Sequence, residues 1–560
     1  MRLFFWKNIH NELKMDTDEK KAGLKEYPRP RLKRDSFINL NGKWDDGAVV
    51  PYPLGSVASG VKGKAAKTYS YFREFEIPQG FIKDKVILNF GAVDQVCSVY
   101  VNDVCVGTHE GGYVPFSFDI TKALMVKNTE KHIIRVEIED KLSALYPYGK
   151  QRKKRGGMWY TPISGIWQTV WLESVSNDYV RDVEITPSLT GIDLNIESDS
   201  LWYEITVLDG KREVLKTESE YGELHLDIKN PHLWSPDDPH LYDLVIRTKN
   251  DEVKSYFGLR TIEIAELGGK QRILLNKRAF FFNGVLDQGY FPEGIYTPNS
   301  ESVYEDDIKR LKNLGFNTIR KHIKVEPQCF YEACDRLGML VLQDMVNNGE
   351  YNFFGHTAMP AIGVTKLDDT KRRVKDEVKN QFAISMEDTV TLLYSHPSVV
   401  YYTIFNEGWG QFEADAMYGW LKTLDKTRIV DSTSGWFWQH QSDVDSYHFY
   451  FKPITFEASK RPVIVSECGG FSLKIKEHAY SKFSNYGYGK VKNKEELTKR
   501  ITKLYEEEII PQISKGLCGV IYTQAYDVED ETNGFYTYDR KVCKVNVTEM
   551  KRLSRKLKVF

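Results

Sequence analysis

The sequence carries almost no surplus of charge: 77 lysines and arginines face 78 aspartates and glutamates over 560 residues. A nucleic acid or an anionic membrane needs a basic surface, so neither is expected as a partner. Long apolar runs are missing as well. No stretch reaches the roughly 18 apolar residues of a membrane-crossing helix, and Leu3–Trp6 is too short for the core of a secretory leader. Cysteine is sparse and scattered, at positions 97, 105, 329, 334, 468, 518 and 543. With no CxxC pair and no Cys/His cluster, these residues build neither a zinc site nor a disulfide framework. They read as buried thiols of a reducing compartment. The expectations are a cytoplasmic location, no metal and no cofactor.

What is present is a globular composition, 41% hydrophobic and 28% charged, in a chain long enough for two to four domains. Its 33 tyrosines and 11 tryptophans suit sugar stacking and large β-rich cores alike. Residues 1–25 are polar and poorly patterned, an expected arm. Residues 26–176 consist of short alternating runs. In "HIIRVEIED", Ile134, Val136 and Ile138 share one face and Arg135, Glu137 and Glu139 the other, the period of two of a half-buried strand. "CSVYVNDVCVG" repeats the pattern about a hairpin turn at Asn102-Asp103. The spacing predicts an antiparallel sandwich over 26–176 and an immunoglobulin-like sandwich over 177–267.

From residue 268 to 560 apolar runs alternate with amphipathic helices. One helix starts in "SESVYEDDIKRLKNLG", where Ser302 and Glu305 can form a capping box and Gly315 supplies the stop. Others are expected over 371–395 and 494–510. Eight strands can be counted, each nearly all apolar, and eight β/α units predict a TIM barrel. The C-terminal strand ends of such a barrel form its site. There stand Asp287-Gln288, Arg320-Lys321-His322, Gln343-Asp344, Asn406-Glu407, the stretch Tyr447, His448 and Tyr450, and Ser466-Glu467. Glu407 and Glu467 close strands four and seven, across the mouth from each other. Either alone reads equally well as a helix cap. Paired carboxylates suit glycoside hydrolysis: one protonates the leaving oxygen while the other attacks or activates water.

These residues carry a resemblance. "HPSVVYYTIFNEGWG", "RPVIVSECGG" and "GFNTIRKHIKVEPQCFYEACDRLGMLVLQDM" resemble the barrel of glycoside hydrolase family 2, which holds β-galactosidases, β-glucuronidases and β-mannosidases. "YSYFREFEIP", "FGAVDQVCSVYVNDVCVGTHEGGYVPFSFDIT" and "SGIWQTVWLE" resemble its sugar-binding jelly roll. The likeness covers roughly residues 27–560. It implies a jelly-roll β-sandwich, an immunoglobulin-like sandwich and a catalytic TIM barrel. Glu407 would be the general acid/base and Glu467 the nucleophile of a retaining mechanism, with Asn406 holding the sugar 2-hydroxyl. Glu407 must rest protonated, which the negative charge of Glu467 favours by like-charge repulsion, and donors such as Tyr447 or Tyr450 should keep Glu467 ionised. His322, Asp344, Asp287, His448, Tyr450, Tyr447 and Trp436 would line the sugar site. Trp438 could stack there too. "GKQRKKRGGMWY" (149–160) reads first as a solvated loop, and by resemblance as a sandwich loop reaching the barrel mouth.

Departures bear on the sugar. Glucuronidases of the family carry an Asn-x-Lys after strand eight, whose lysine meets the sugar carboxylate; here Asn533-Gly534-Phe535 stands instead, which argues against a uronide. The acid that relatives place before "SGI" falls near Trp159. The expectation is a retaining exo-acting β-glycosidase, a β-galactosidase, acting on a glycoside or oligosaccharide. β-Mannoside, β-glucuronide or arabinoside hydrolysis stay open, as does assembly into a homo-oligomer. A non-catalytic sugar-binding protein would be expected to have lost one of the two glutamates. A metal-dependent hydrolase would need His/Asp clusters beyond His322.

Overall fold

Strand Lys131–Glu139 buries every second residue, His132, Ile134, Val136 and Ile138. It lies between Thr68–Glu76 and Val96–Val101, and Val104–Glu110 completes a four-stranded antiparallel sheet. A second sheet of Phe37–Asn39, Val170–Val175, Lys85–Phe90 and Phe116–Asp119 packs on it through Leu88, Val99, Val136 and Leu172. Asn102 and Asp103 form the hairpin with φ of 50° and 68°, the left-handed pair that a tight turn between twisted strands requires. A second antiparallel sandwich follows, with Ile185, Leu194, Val207 and Leu244 in its core. The computed structural model describes residues 23–61, 67–127, 130–361, 363–457 and 459–558, so most of the expected N-terminal arm lies outside the described residues.

The barrel strands are β1 (Phe282–Asp287), β2 (Thr318–Lys321), β3 (Leu340–Asp344), β4 (Val399–Asn406), β5 (Ile429–Ser434), β6 (Asp445–Phe449), β7 (Val463–Gly469) and β8 (Leu517–Thr523). Parallel ladders join them in the order β5-β4-β3-β2-β1-β8-β7-β6. β5 and β6 share no ladder. Side chains cross that seam: Ser446 Oγ donates to the Thr433 carbonyl at 3.3 Å, and Ser434 Oγ lies 3.1 Å from His448 Nε2. All eight residues of β4 are buried, as expected of a strand covered on both faces. Leu286, Leu342, Val400, Ile464 and Ile521 fill the interior, and the hairpin Ile262–Leu267/Lys270–Leu275 inserts Ile262, Ile273 and Leu275 into the same cluster. This packed interior carries the site on a rigid base.

Helices α1 (Ser302–Asn313), α2 (Gln328–Leu337), α3 (Asp376–Leu393), α4 (Ala414–Leu424), α5 (Lys494–Lys503) and α6 (Val547–Leu557) flank the barrel. Three expectations need correction. The capping box at Ser302 does not form, because Ser302 is already helical and Glu305 gives its carboxylate to Lys309 and Arg336. The helix expected from residue 371 starts at Asp376, after a separate turn over Asp369–Lys371. The helix expected to residue 510 is α-helical only to Lys503, then widens over Leu504–Ile509 ahead of Pro511. All seven cysteines are free, but only Cys97, Cys334, Cys468 and Cys518 are buried; Cys105 is exposed on an edge strand. Among the described residues no helix is long and apolar enough to cross a membrane.

Candidate active site

The apolar run of β4 ends in a sharp turn. Glu407 has φ of 52° and Gly408 of 72°, and the Glu407 N–H donates to the Ser434 carbonyl of β5 at 3.0 Å. A Cβ on Gly408 would stand 2.4 Å from the Phe437 ring, so only glycine lets the turn pack there. β7 delivers its glutamate differently. Its register against both β6 and β8 breaks around Ser466 and Glu467, a bulge that turns Glu467 into the mouth.

Arg320, on β2, ties the strand ends together. It is 1% exposed. Its Nε donates to Asp344 Oδ1 at 2.9 Å, Nη1 to Glu467 Oε1 at 3.1 Å and to the Ser466 carbonyl at 2.9 Å, and Nη2 to Asn406 Oδ1 at 2.8 Å. That last bond fixes the Asn406 amide and leaves its buried Nδ2 with no partner, a free donor for a ligand hydroxyl. Burial pushes the Glu467 carboxyl up. The N–H side of the His448 ring and the Arg320 guanidinium, with the more distant Lys150, outweigh burial and hold it at about 2. The Tyr450 hydroxyl donates to the other carboxylate oxygen, Oε2. Glu467 is therefore ionised at neutral pH.

His448 stands between the two glutamates, with its side chain buried. Nδ1 lies 2.9 Å from Glu407 Oε1, and Nε2 lies 3.7 Å from Glu467 Oε1. One polar atom from each of Glu407, His448 and Glu467 falls within 4.8 Å of the others. That spacing would admit a divalent ion. The atoms are, however, engaged with one another and with Arg320, Tyr450 and Ser434.

The remaining expected residues divide. His322 Nδ1 is bonded to Asp344 Oδ2 at 2.6 Å; burial, and then the Lys150 charge, lower its pKa to about 4, so the ring is neutral. Asp344 is held between Arg320 and His322 and serves to position them. Asp287 is corrected. It faces outward from β1 into a buried cluster with Lys321 (2.5 Å), which also binds Glu326 (2.8 Å). Tyr447 is corrected too. The pleat of β6 sends it outward onto Phe449 and Phe456, while His448 and Tyr450 point to the mouth. Trp438 packs on Tyr447, and Trp436 sits 5.5 Å from the His448 ring with its buried Nε1 unpartnered. Arg320 was not among the expected site residues, because a strand of four residues does not reveal which of Arg320, Lys321 and His322 faces inward.

The loop at 149–160 is solvated only at its tip, Arg152–Arg155. Its flanks dock on the barrel. Tyr148 N–H donates to the Asn347 carbonyl at 3.0 Å, Trp159 stacks on Trp409 at 5.1 Å and 17°, and the Tyr160 hydroxyl donates to Glu531. Gly149 has φ of 62°, and a Cβ there would lie 2.9 Å from the Ile323 carbonyl, so glycine permits this approach. Lys150 is 7% exposed, with Nζ 4.8 Å from the centre of the Trp409 ring. Its carbonyl accepts from the Tyr160 N–H at 3.0 Å, while among the described residues its Nζ has no hydrogen bond or ion pair. Phe535, where the resemblance would place the lysine of an Asn-x-Lys, is buried against Phe316 and Tyr522.

Two sandwiches ahead of a parallel barrel, with two carboxylates sharing the barrel mouth, define the class: a multidomain barrel protein built around an acid pair. Family models match along the chain: the glycosyl hydrolases family 2 sugar-binding domain over residues 26–173, the family 2 model over 169–260 and the family 2 TIM barrel domain over 267–466. The chain belongs to glycosyl hydrolases family 2. It is 27% identical over 298 residues to a β-galactosidase of Thermoanaerobacter pseudethanolicus, covering 49% of this chain and 39% of that one. It is 26% identical over 389 residues to a putative β-glucuronidase of Formosa agariphila, covering 65% and 34%. The chain thus spans well under half the length of these curated relatives. A solved β-D-glucuronidase of Dictyoglomus thermophilum shares the fold at TM-score 0.74 and 17% identity, over 95% of this chain and 99% of that one.

Proposed function

We propose that the chain is a retaining β-glycosidase working by double displacement. Glu467 attacks the anomeric carbon while Glu407 protonates the aglycone oxygen; Glu407 then takes a proton from water, whose hydroxide releases the sugar from Glu467. The observation that carries this reading is the shared site of the two carboxylates, within 4.8 Å together with His448. Retaining enzymes hold their carboxyls about 5–5.5 Å apart, whereas inverting ones leave about 6.5–9.5 Å for a water. Arg320 and Tyr450 hold the nucleophile ionised, and Asn406 Nδ2 is free for the sugar 2-hydroxyl. The test is proton NMR of the first-formed product: the β-anomer is expected, and initial α-anomer would overturn the mechanism. Glu467→Gln should lower kcat by about a thousandfold or more.

For the sugar, β-galactoside hydrolysis is the expectation from sequence, and relatives named for galactosidase and glucuronidase activity are similarly distant. A second reading, a uronide, is favoured by one observation. Lys150, a largely buried residue, places its ammonium over Trp409, two residues beyond Glu407, with no carboxylate in ion-pair contact among the described residues. A sugar carboxylate there would find a cation to pair with. Aryl β-galactoside and β-glucuronide, assayed with wild type and Lys150→Met, separate the readings. A uronidase loses its preference for the acid on this substitution by about tenfold or more, and a galactosidase shows no such preference.

A further inference from the structure

Beyond Glu407 a line of hydrogen bonds leads away from the site. His448 Nδ1 lies 2.9 Å from Glu407 Oε1, and Nε2 lies 3.1 Å from Ser434 Oγ at the end of β5. Ser434 Oγ donates to Ser466 Oγ at 2.8 Å, and Ser466 Oγ donates to the Tyr447 carbonyl at 3.4 Å. Ser434, Ser466 and the His448 side chain are buried. The ring is also clamped: Trp436 packs on it, and a Cβ on Gly435 would lie 2.8 Å from Nδ1.

The polarity of this line follows from its far end. A backbone carbonyl only accepts, so the Ser466 hydrogen goes to it. The single hydrogen of Ser434 then goes to Ser466, and Ser434 can only accept from His448. That requires a hydrogen on Nε2. A neutral imidazole with Nε2–H presents a lone pair at Nδ1, and a lone pair facing Glu407 Oε1 asks for a proton on that oxygen.

We propose that the chain His448–Ser434–Ser466–Tyr447 carbonyl fixes the tautomer of His448 and thereby keeps the resting proton on Glu407. His448 is a positioning residue here, and neither gains nor loses a proton in the cycle. When Glu407 passes its proton to the aglycone oxygen, its new negative charge faces the Nδ1 lone pair. That repulsion favours taking a proton back from the attacking water. The charged and titratable groups around the ring do not supply this order by themselves. Glu467 of β7 is paired with Arg320 of β2 and Tyr450 of β6, while Tyr351, Tyr486 and Tyr488 approach Glu407 from the loops.

The inference rests on Glu407 as the acid/base, and the test has an arm that does not. Ser466 touches neither His448 nor Glu407, so Ser466→Ala should leave the site's shape intact. Freed of Ser466, the Ser434 hydrogen turns to Nε2, the ring hydrogen moves to Nδ1, and Nδ1–H then favours the Glu407 carboxylate. With phenyl β-galactoside and phenyl β-glucuronide, whose poor leaving group needs the acid, the basic limb of kcat/KM should move down by about one pH unit in Ser466→Ala and Ser434→Ala. Ser466→Thr should restore it. A uniform loss across pH with an unmoved limb would overturn the proposal. In protein labelled with nitrogen-15 at histidine, the ring signals of His448, assigned with His448→Gln, should show Nε2–H in wild type and Nδ1–H in Ser466→Ala. Nδ1–H in wild type would overturn the chain whether or not any glycoside is cleaved. Nε2–H in a protein that cleaves none would instead overturn the hydrolase reading and leave the chain standing.

Discussion

Arg320 decides more at the site than any residue except the two glutamates, because one guanidinium holds Asp344, Glu467 and Asn406 in fixed relation. Glu467, depressed from 4.5 to about 2, contributes stability that is present above the unfolded carboxyl value and lost as pH falls through about 2. Arg320→Met removes the charge that opposes burial. The Glu467 carboxyl then rises, so the acidic limb of kcat/KM should shift to higher pH. The fold should lose about 3–5 kcal/mol, since two buried carboxylates lose the guanidinium they share. A pH–rate profile and a denaturant melt check both. Glu407, Glu467 and Asn406 were legible because each ends an apolar run where a buried strand gains nothing from a polar residue. Arg320 was not. It sits beside Lys321 and His322, and which of three consecutive cations faces inward depends on a pleat phase that one strand of four residues does not reveal.

Among the elements, β6 and β7 show how backbone geometry selects side chains. The pleat of β6 sends Tyr450 to Glu467 and Tyr447 to the outer layer. Tyr450→Phe should therefore lower kcat about tenfold or more by removing a donor from Glu467, while Tyr447→Phe stays near wild type; steady-state rates decide. An equal loss in both would mean that the β6 phase is misassigned. The eight strands and their order along the chain were readable from apolar runs between helices. The β7 bulge was not, since a one-residue break in register leaves no mark in composition, and neither did the open β5–β6 seam. The capping box failed for a related reason: a one-residue shift in helix start removes the cap from Ser302.

At the scale of the molecule the first sandwich completes the barrel mouth. Trp159 and Lys150 both lie against Trp409, and Tyr160 bonds Glu531 beyond β8. The basic run between residues 149 and 160 looked solvated because its partners lie hundreds of residues away, and charge alone does not tell an anchored loop from a free one. Trp159→Ala should unseat the loop: thermal melts should show a loss of about 3–5 kcal/mol, and kcat/KM should fall more than kcat if the loop binds the sugar. The proposed mechanism stands on the assignment of Glu467 as nucleophile and Glu407 as acid/base. Incubation with 2,4-dinitrophenyl 2-deoxy-2-fluoro-β-glycosides of galactose and glucuronic acid, followed by peptide mass spectrometry, tests it most directly. A stable glycosyl ester on Glu467 is expected; an ester on any other residue would rule Glu467 out as the nucleophile.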